Sequence, residues 1–243
     1  MKLTVLGFAG SYPRPDSPCS SYLLEADGYR LVLDLGNGAL SVLQRHCGLY
    51  DIDAVVLSHL HADHWADVGP YLVAWQHAPE PPARTLPVYG PAELTARLRA
   101  VYDAEPTGWD VHTLRAGTLS IGPFRLHAEQ VDHPVETYGM RVEHGGRALT
   151  YSADTGPCAE LVGLASGADT LLCEASYVDR PGNAPHLHLS GRQAGEHADR
   201  AGAGRLLLTH LVAWNDDARV EAEAAAAFAG PVERVSSGAA YEI

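Results

Sequence analysis

Ala54–Asp67 reads AVVLSHLHADHWAD. The first four residues form a short apolar, β-branched run of the kind that makes a buried strand, and the chain then turns polar at once. Within the six residues that begin at His59 stand His59, His61, Asp63 and His64. His59 and His61 alternate across one position, while Asp63 and His64 supply a carboxylate and an imidazole able to face a second cation. A chance collection of polar groups at a strand end leaves this density unexplained, whereas metal ligation accounts for it.

One loop cannot complete two coordination spheres, so further ligands have to come from other strand ends. Three residues have that context. His133 sits at the end of the strand-like FRLHAEQVDHP, Asp154 at the end of the strand in ALTYSADTG, and His210 at the end of the strand in RLLLTHL. Each alone reads as a hydrogen-bonded loop residue; together with the first cluster they read as ligands.

Around these points the chain alternates short apolar runs with helical stretches. The runs Leu3 to Leu6, Tyr22 to Glu25, Arg30 to Leu35, Ala54 to Leu57 and Leu86 to Tyr89 predict strands, as do Phe124 to Val131, Tyr138 to Glu143, Ala148 to Ser152, Thr170 to Glu174, Arg205 to Thr209 and Val232 to Val235. Helices are expected over Ala39 to Cys47, Trp65 to Trp75, Pro91 to Tyr102, Cys158 to Ala165, Ser190 to Ala201 and Asp216 to Phe228, with Pro91 opening one and Ser190 and Asp216 capping others. A strand-dense first half and an alternating second half predict an α/β sandwich of two sheets with helices outside. HAPEPPARTLP, from His77, predicts a rigid surface loop. The length of 243 residues suits one domain over 1–243.

The formal charge of −13, from 17 basic and 30 acidic side chains, repels a long polyanion and counts against an extended nucleic-acid partner. One small anionic substrate is compatible with it, because bound divalent cations reverse the sign locally. Cys19, Cys47, Cys158 and Cys173 show neither a zinc-ribbon spacing nor a disulfide framework, so reduced thiols are expected. No run reaches membrane-spanning length and MKLTVLGFAG enters a strand-like run directly, which makes a cytoplasmic setting the expectation and a membrane partner unexpected.

HLHADH, the later His133, Asp154 in SADTG and His210 after LLLT resemble the metallo-β-lactamase superfamily, and the resemblance spans nearly the whole chain. MKLTVLGFAGSYP, SSYLLEADG, LVLDLGNG, VETYGMRVE and CEASY resemble the short tRNase Z-like branch, and with HLHLSGRQAG the set is most like actinobacterial proteins described as atypical cyclic-nucleotide phosphodiesterases. The resemblance implies an αββα fold of two mixed sheets. It implies two divalent ions, zinc with manganese as the alternative: one on His59, His61 and His133, the other on Asp63, His64 and His210, bridged by Asp154. It also implies hydrolysis by a hydroxide shared between the ions, with Asp63 able to accept a proton from the attacking water.

Asp34 in LVLDLGNG matches a position that supports a ligand imidazole, its bland alternative being a turn residue. His188 matches a proton-donating His; His186, two residues away, competes for that role, and Glu174 in CEASY could hold the imidazole. His46, His77, His112, His127, His144 and His197 read as structural or surface residues. Trp65, Trp75 and Trp214 read as pocket lining or core. Relatives often pair, so a homodimer is in keeping with the resemblance.

The sequence departs from the tRNase Z-like branch at SSGAAYEI, where an acidic-Gly ending is common, and from tRNA-trimming enzymes over a longer stretch. Gly69 to His133, where those carry a Gly-, Pro- and Lys-rich arm, contains no lysine. A phosphodiesterase for a small substrate such as a 3′,5′-cyclic nucleotide is therefore the leading expectation. An RNA 3′-end endonuclease, a lactone or thioester hydrolase, and an iron-loaded redox protein on the same ligands are the alternatives.

Overall fold

The computed structural model describes residues 1–77, 79–80, 82–103 and 105–243. Ala78 and Pro81 of the expected Pro-rich loop lie outside the described residues. Two seven-stranded sheets are stacked, with elements numbered in chain order. The first sheet runs β16 (Ala240–Glu242), β1 (Lys2–Gly7), β3 (Ser21–Ala26), β4 (Tyr29–Leu33), β5 (Ala54–Val56), β6 (Leu86–Gly90) and β7 (Trp109–Thr113). The second runs β15 (Val232–Arg234), β13 (Leu206–Thr209), β12 (Thr170–Glu174), β11 (Arg147–Tyr151), β10 (Tyr138–His144), β9 (Phe124–Gln130) and β8 (Gly117–Ile121). A small ladder joins β2 (Ala9–Gly10) to β14 (Leu211–Val212) in parallel.

Period-two alternation explains how the sheets bury both faces. Leu3, Val5, Tyr22, Leu24, Leu31, Leu33, Ala54 and Val56 point into the core shared with Leu126, Met140, Val142, Leu149, Tyr151 and Leu171 of the second sheet. Their neighbours Leu23, Val32, Val55 and Val88 point the other way, onto α1 (Ala39–Leu43), α3 (Val68–Gln76) and α4 (Leu94–Tyr102) through Leu43, Tyr71, Leu72, Trp75 and Leu98. The outer face of the second sheet carries α5 (Ala159–Leu164), α6 (Gly191–Ala201) and α7 (Asp217–Ala225). α2 (Ala62–Trp65) is a single turn inside the His/Asp cluster.

Ser190 caps α6 by accepting from the Gln193 N–H, and Asp216 caps α7 by accepting from the Ala218 N–H, as the sequence predicts. Pro91 does not open α4: it forms a preceding turn, its carbonyl accepting from Leu94 N–H, and the helix begins at Leu94. The helix expected from Trp65 to Trp75 splits in two at Ala66 and Asp67. All four cysteines are unpaired. Among the described residues no helix is long and apolar enough to cross a membrane.

The strand directions decide where the chemistry collects. β4, β5 and β6 are parallel, as are β11, β12 and β13. β9 and β11 are both antiparallel to β10 and therefore run the same way as each other. The segments that leave the carboxyl ends of β4, β5, β9, β11, β12 and β13 meet along one edge of the sandwich, the general position for a site in such sheets.

Candidate metal centre

His59 and its neighbours leave β5 in a turn stitched to the turn after β4: Leu35 N–H donates to the His64 carbonyl and Asp67 N–H to the Leu35 carbonyl. The two turns touch so closely that a Cβ on Gly36 would lie 2.1 Å from the Asp63 carbonyl oxygen. Three non-glycine residues at this edge, Asp34, Ala153 and His210, hold left-handed φ of 56°, 54° and 53°. Such backbone costs free energy and is tolerated where the surrounding structure fixes it, commonly at functional sites.

Seven side chains converge in two groups that share one carboxylate. His59, His61, His133 and Asp154 form one, and Asp63, His64, Asp154 and His210 the other; within each group the candidate ligand atoms all lie within 4.8 Å of one another. His133 Nε2 is 3.1 Å from His61 Nδ1, and His59 Nε2 is 3.6 Å from Asp154 Oδ2. Asp154 Oδ1 lies 3.1 Å from His64 Nε2 and 3.4 Å from His210 Nε2, and Asp63 Oδ2 is 3.0 Å from His210 Nε2. A tetrahedral sphere with bonds of about 2.1 Å spaces its ligands about 3.4 Å apart, so these gaps have the right size.

The donor set also fits a cation chemically. His59 Nε2, His64 Nε2 and Asp154 Oδ1 are buried with no hydrogen-bond partner, although His64 and Asp154 approach closely; the pair is not aligned for a hydrogen bond. Orphaned buried polar atoms are costly, and one divalent ion in each group would satisfy them, His59 in the first, His64 in the second and Asp154 in either.

Four of the five imidazoles, those of His59, His64, His133 and His210, are oriented through their other nitrogen, as metal-binding histidines usually are. His64 Nδ1 donates to Asp34 Oδ2 at 2.8 Å. His59 Nδ1 is 3.0 Å from Ser58 Oγ, which itself donates to Asp34 Oδ2. His133 Nδ1 donates to the Leu187 carbonyl, and His210 Nδ1 is 2.7 Å from Ser176 Oγ. Asp34 additionally accepts from Ser58 N–H and from the Tyr151 hydroxyl, and Asp63 Oδ2 accepts from Ser11 N–H at 2.7 Å.

Burial and charge set the protonation pattern of the cluster itself. Burial, reinforced by the neighbouring imidazoles, holds His59 well below the ordinary histidine range, and burial also lowers His61 and His133. For His64 burial acts downward, but Asp154 and Asp34 outweigh it and raise the group. Burial likewise opposes ionisation of Asp63 and Asp154, yet His210 and His64 hold both carboxyls well below the usual range. The neutral imidazoles of His59, His61 and His133 beside ionised Asp63 and Asp154 are in the state a divalent cation requires, whereas His64 gives up a proton when one binds.

The two candidate donor histidines separate clearly. His188 is mostly buried, its Nδ1 donating to Glu174 Oε1 at 2.8 Å and lying 4.0 Å from Asp154 Oδ2. His186 is 75% exposed at its side chain and pairs with Asp132 on the surface. Glu174 is fully buried and also accepts from Thr155 N–H and from Ser176. Trp65 and Trp75 belong to the core, whereas Trp214 is exposed. The sequence reading missed Ser58, Ser176 and Tyr151 as hydrogen-bond partners of this site; no spacing rule singles them out.

Residues 29–211 match the family model described as Beta-lactamase superfamily domain. The protein ML1173 of Mycobacterium leprae is 42% identical over the whole of this chain and 89% of its own length. The probable metallo-hydrolase YhfI of Bacillus subtilis is 34% identical over the whole of both chains, and its crystal structure superposes with a TM-score of 0.90 at 33% identity, covering 99% of each. Human tRNase Z, short form, shares the fold with a TM-score of 0.79 at 21% identity, over 100% of this chain and 99% of that one. With its αββα sandwich and its His/Asp cluster fit for divalent metal, this chain belongs to the β-lactamase superfamily, as a metallo-hydrolase.

Proposed function

We propose that this chain is a phosphodiesterase for a small anionic substrate such as a 3′,5′-cyclic nucleotide. In this reading His59, His61 and His133 would hold one divalent ion, zinc by preference, and Asp63, His64 and His210 a second, with Asp154 common to both groups. The observation that carries it is the His188–Glu174 pair, held within 4.0 Å of the Asp154 carboxylate. A phosphodiester releases an alkoxide that needs a proton, and this pair supplies a donor beside the metal ligands.

When bound, the two cations lower the pKa of a shared water and take up charge that develops on phosphoryl oxygens. The residues of the chain do the rest. Glu174 engages His188 Nδ1 and leaves Nε2 to deliver a proton to the departing oxygen. Asp34, Ser58, Ser176 and the Leu187 carbonyl fix the imidazoles of His64, His59, His210 and His133, so little reorganisation is needed as charge builds. Asp63, anchored by Ser11 N–H, would accept the proton of the attacking water in this reading.

RNA 3′-end cleavage is the second reading, favoured by the fold shared with a tRNase Z. Against it stand the charge of −13 and the course of residues 69–133, whose described part is taken up by α3, β6, α4, β7, β8 and β9. Four unpaired cysteines suit a cytoplasmic setting. The test is a rate comparison on zinc- and manganese-loaded protein with cyclic AMP, cyclic GMP, a bis-aryl phosphodiester, a tRNA precursor and lactones. Turnover of the cyclic nucleotides is expected; lactone cleavage without any phosphodiester cleavage overturns the reading.

A further inference from the structure

Tyr12 and Trp214 are among the few large apolar side chains that stand open to solvent, 48% and 61% exposed. They are far apart in sequence, yet their rings pack 5.7 Å apart between centroids at an interplanar angle of 42°. Exposing two aromatic rings side by side is unfavourable in water and therefore informative.

Their position is fixed by the metal centre. Tyr12 follows Ser11, whose N–H is bound to Asp63 Oδ2, and its own N–H donates to the Gly10 carbonyl. Trp214 lies four residues beyond His210, and the neighbouring Asn215 side chain donates to the Ser176 carbonyl at 2.7 Å. The ladder of β2 and β14, pairing Leu211 with Ala9 and Val212 with Gly10, ties the two segments together. That ladder cannot move without moving His210, because a Cβ on Gly10 would already lie 2.9 Å from His210 Nδ1. Arg14 adds a brace from the same loop to Asp217 at the start of α7, at 2.9 Å. The segments that carry the two rings are thus anchored to Asp63 through Ser11 and to β14, which directly follows His210.

We infer that Tyr12 and Trp214 form a platform on which the nucleobase of a nucleoside phosphodiester stacks while its phosphate lies at the metal pair. The inference rests on the phosphodiesterase reading and names the feature by which substrates are told apart. Every base has a π face, so the platform selects nucleotides as a class over base-free phosphodiesters without choosing one base. A rigid ring pair needs little ordering on binding, which makes it an effective anchor.

The chain carries a built-in reporter. Of its four tryptophans, Trp65, Trp75 and Trp109 are buried, so quenching of tryptophan emission by an added base reads Trp214. The experiment titrates metal-loaded protein with a nucleoside 5′-monophosphate and, separately, ribose 5-phosphate. Saturable quenching by the nucleotide alone is expected, and Tyr12→Ala should weaken that binding about tenfold. In turnover, Y12A and W214A should each raise KM for a cyclic nucleotide about tenfold with kcat little moved, while W214F restores KM. Equal quenching by both ligands, or none by either, overturns the platform, as does an unchanged KM in W214A. A W214A variant that alters oligomeric state and leaves KM alone also overturns it, assigning the pair to an interface between copies. Should no phosphodiester be turned over at all, the proposed function falls, and base-dependent quenching still decides the platform.

Discussion

Asp34 accepts a hydrogen bond from His64 Nδ1 at 2.8 Å, with both side chains fully excluded from solvent. The same carboxylate accepts from Ser58 N–H, Ser58 Oγ and the Tyr151 hydroxyl, so one residue of β4's end organises ligands at β5's end and reaches β11 of the opposite sheet. Replacing Asp34 by Ala should weaken zinc binding about 10- to 100-fold, the usual effect of losing such a support. Competition with a chromogenic chelator measures it; affinity within twofold of the parent contradicts the assigned role.

His188 should matter in proportion to the basicity of the leaving group. For a cyclic nucleotide H188A should lower kcat roughly 10²- to 10⁴-fold, the ordinary worth of a positioned general acid. For a bis-aryl phosphodiester, whose leaving phenolate needs no proton, the loss should be far smaller. Equal losses on both substrates would show that His188 acts otherwise.

The same residue predicts a pH dependence. Burial pulls the imidazolium of His188 down, but the charge and hydrogen bond of Glu174, with Asp154 and Asp63, raise it to about 9. A raised folded-state pKa means the proton is held below that value and lost as pH climbs through it, so the acid-dependent rate falls on the alkaline side. E174Q removes the largest supporting charge and should move that fall to lower pH by about one unit or more. Cations bound nearby act in the same downward direction in both proteins and leave the sign of the difference intact.

The close approach of two turns gives a packing prediction. A methyl at position 36 has no room against the Asp63 carbonyl, at 2.1 Å, and both partners are backbone-fixed. Gly36→Ala should destabilise the zinc-loaded protein by about 1–3 kcal/mol and disturb Asp63 as a ligand. Urea unfolding monitored with zinc present measures the first effect and zinc affinity the second.

Much of this was legible in the sequence because the site uses residue types that strands do not ordinarily carry at their ends. The run from His59 to His64 is visible without any structure, and the LLLTH and SADTG segments place their polar residue directly after an apolar strand. The buried strands were legible from their composition, since apolar runs such as Leu31, Val32 and Leu33 of β4 are buried on both faces. The strands missed were of another kind. WDVHT of β7 alternates into solvent through Asp110 and His112, and Ala240–Glu242 is held by pairing with β1 at the far end of the chain. Such strands are specified by their neighbours and carry little local signal. Likewise Ser58, Ser176 and Tyr151 serve the site through contacts that only the folded chain creates, and the Tyr12–Trp214 pair joins segments about two hundred residues apart.

Stability should follow metal as well. Chelation ought to lower the melting temperature, since an ion at 100 times its dissociation constant contributes about 2.7 kcal/mol per site; restoring zinc should reverse the change, and insensitivity to chelator would contradict a cation among the orphaned groups His59, His64 and Asp154.

The most direct test counts ions on the intact chain. Purified protein saturated with zinc, freed of excess metal and analysed by elemental mass spectrometry against protein concentration should hold two zinc ions per chain, falling below two when Asp154 is replaced by Asn. A single ion per chain after full supplementation contradicts a pair of cations sharing the Asp154 carboxylate.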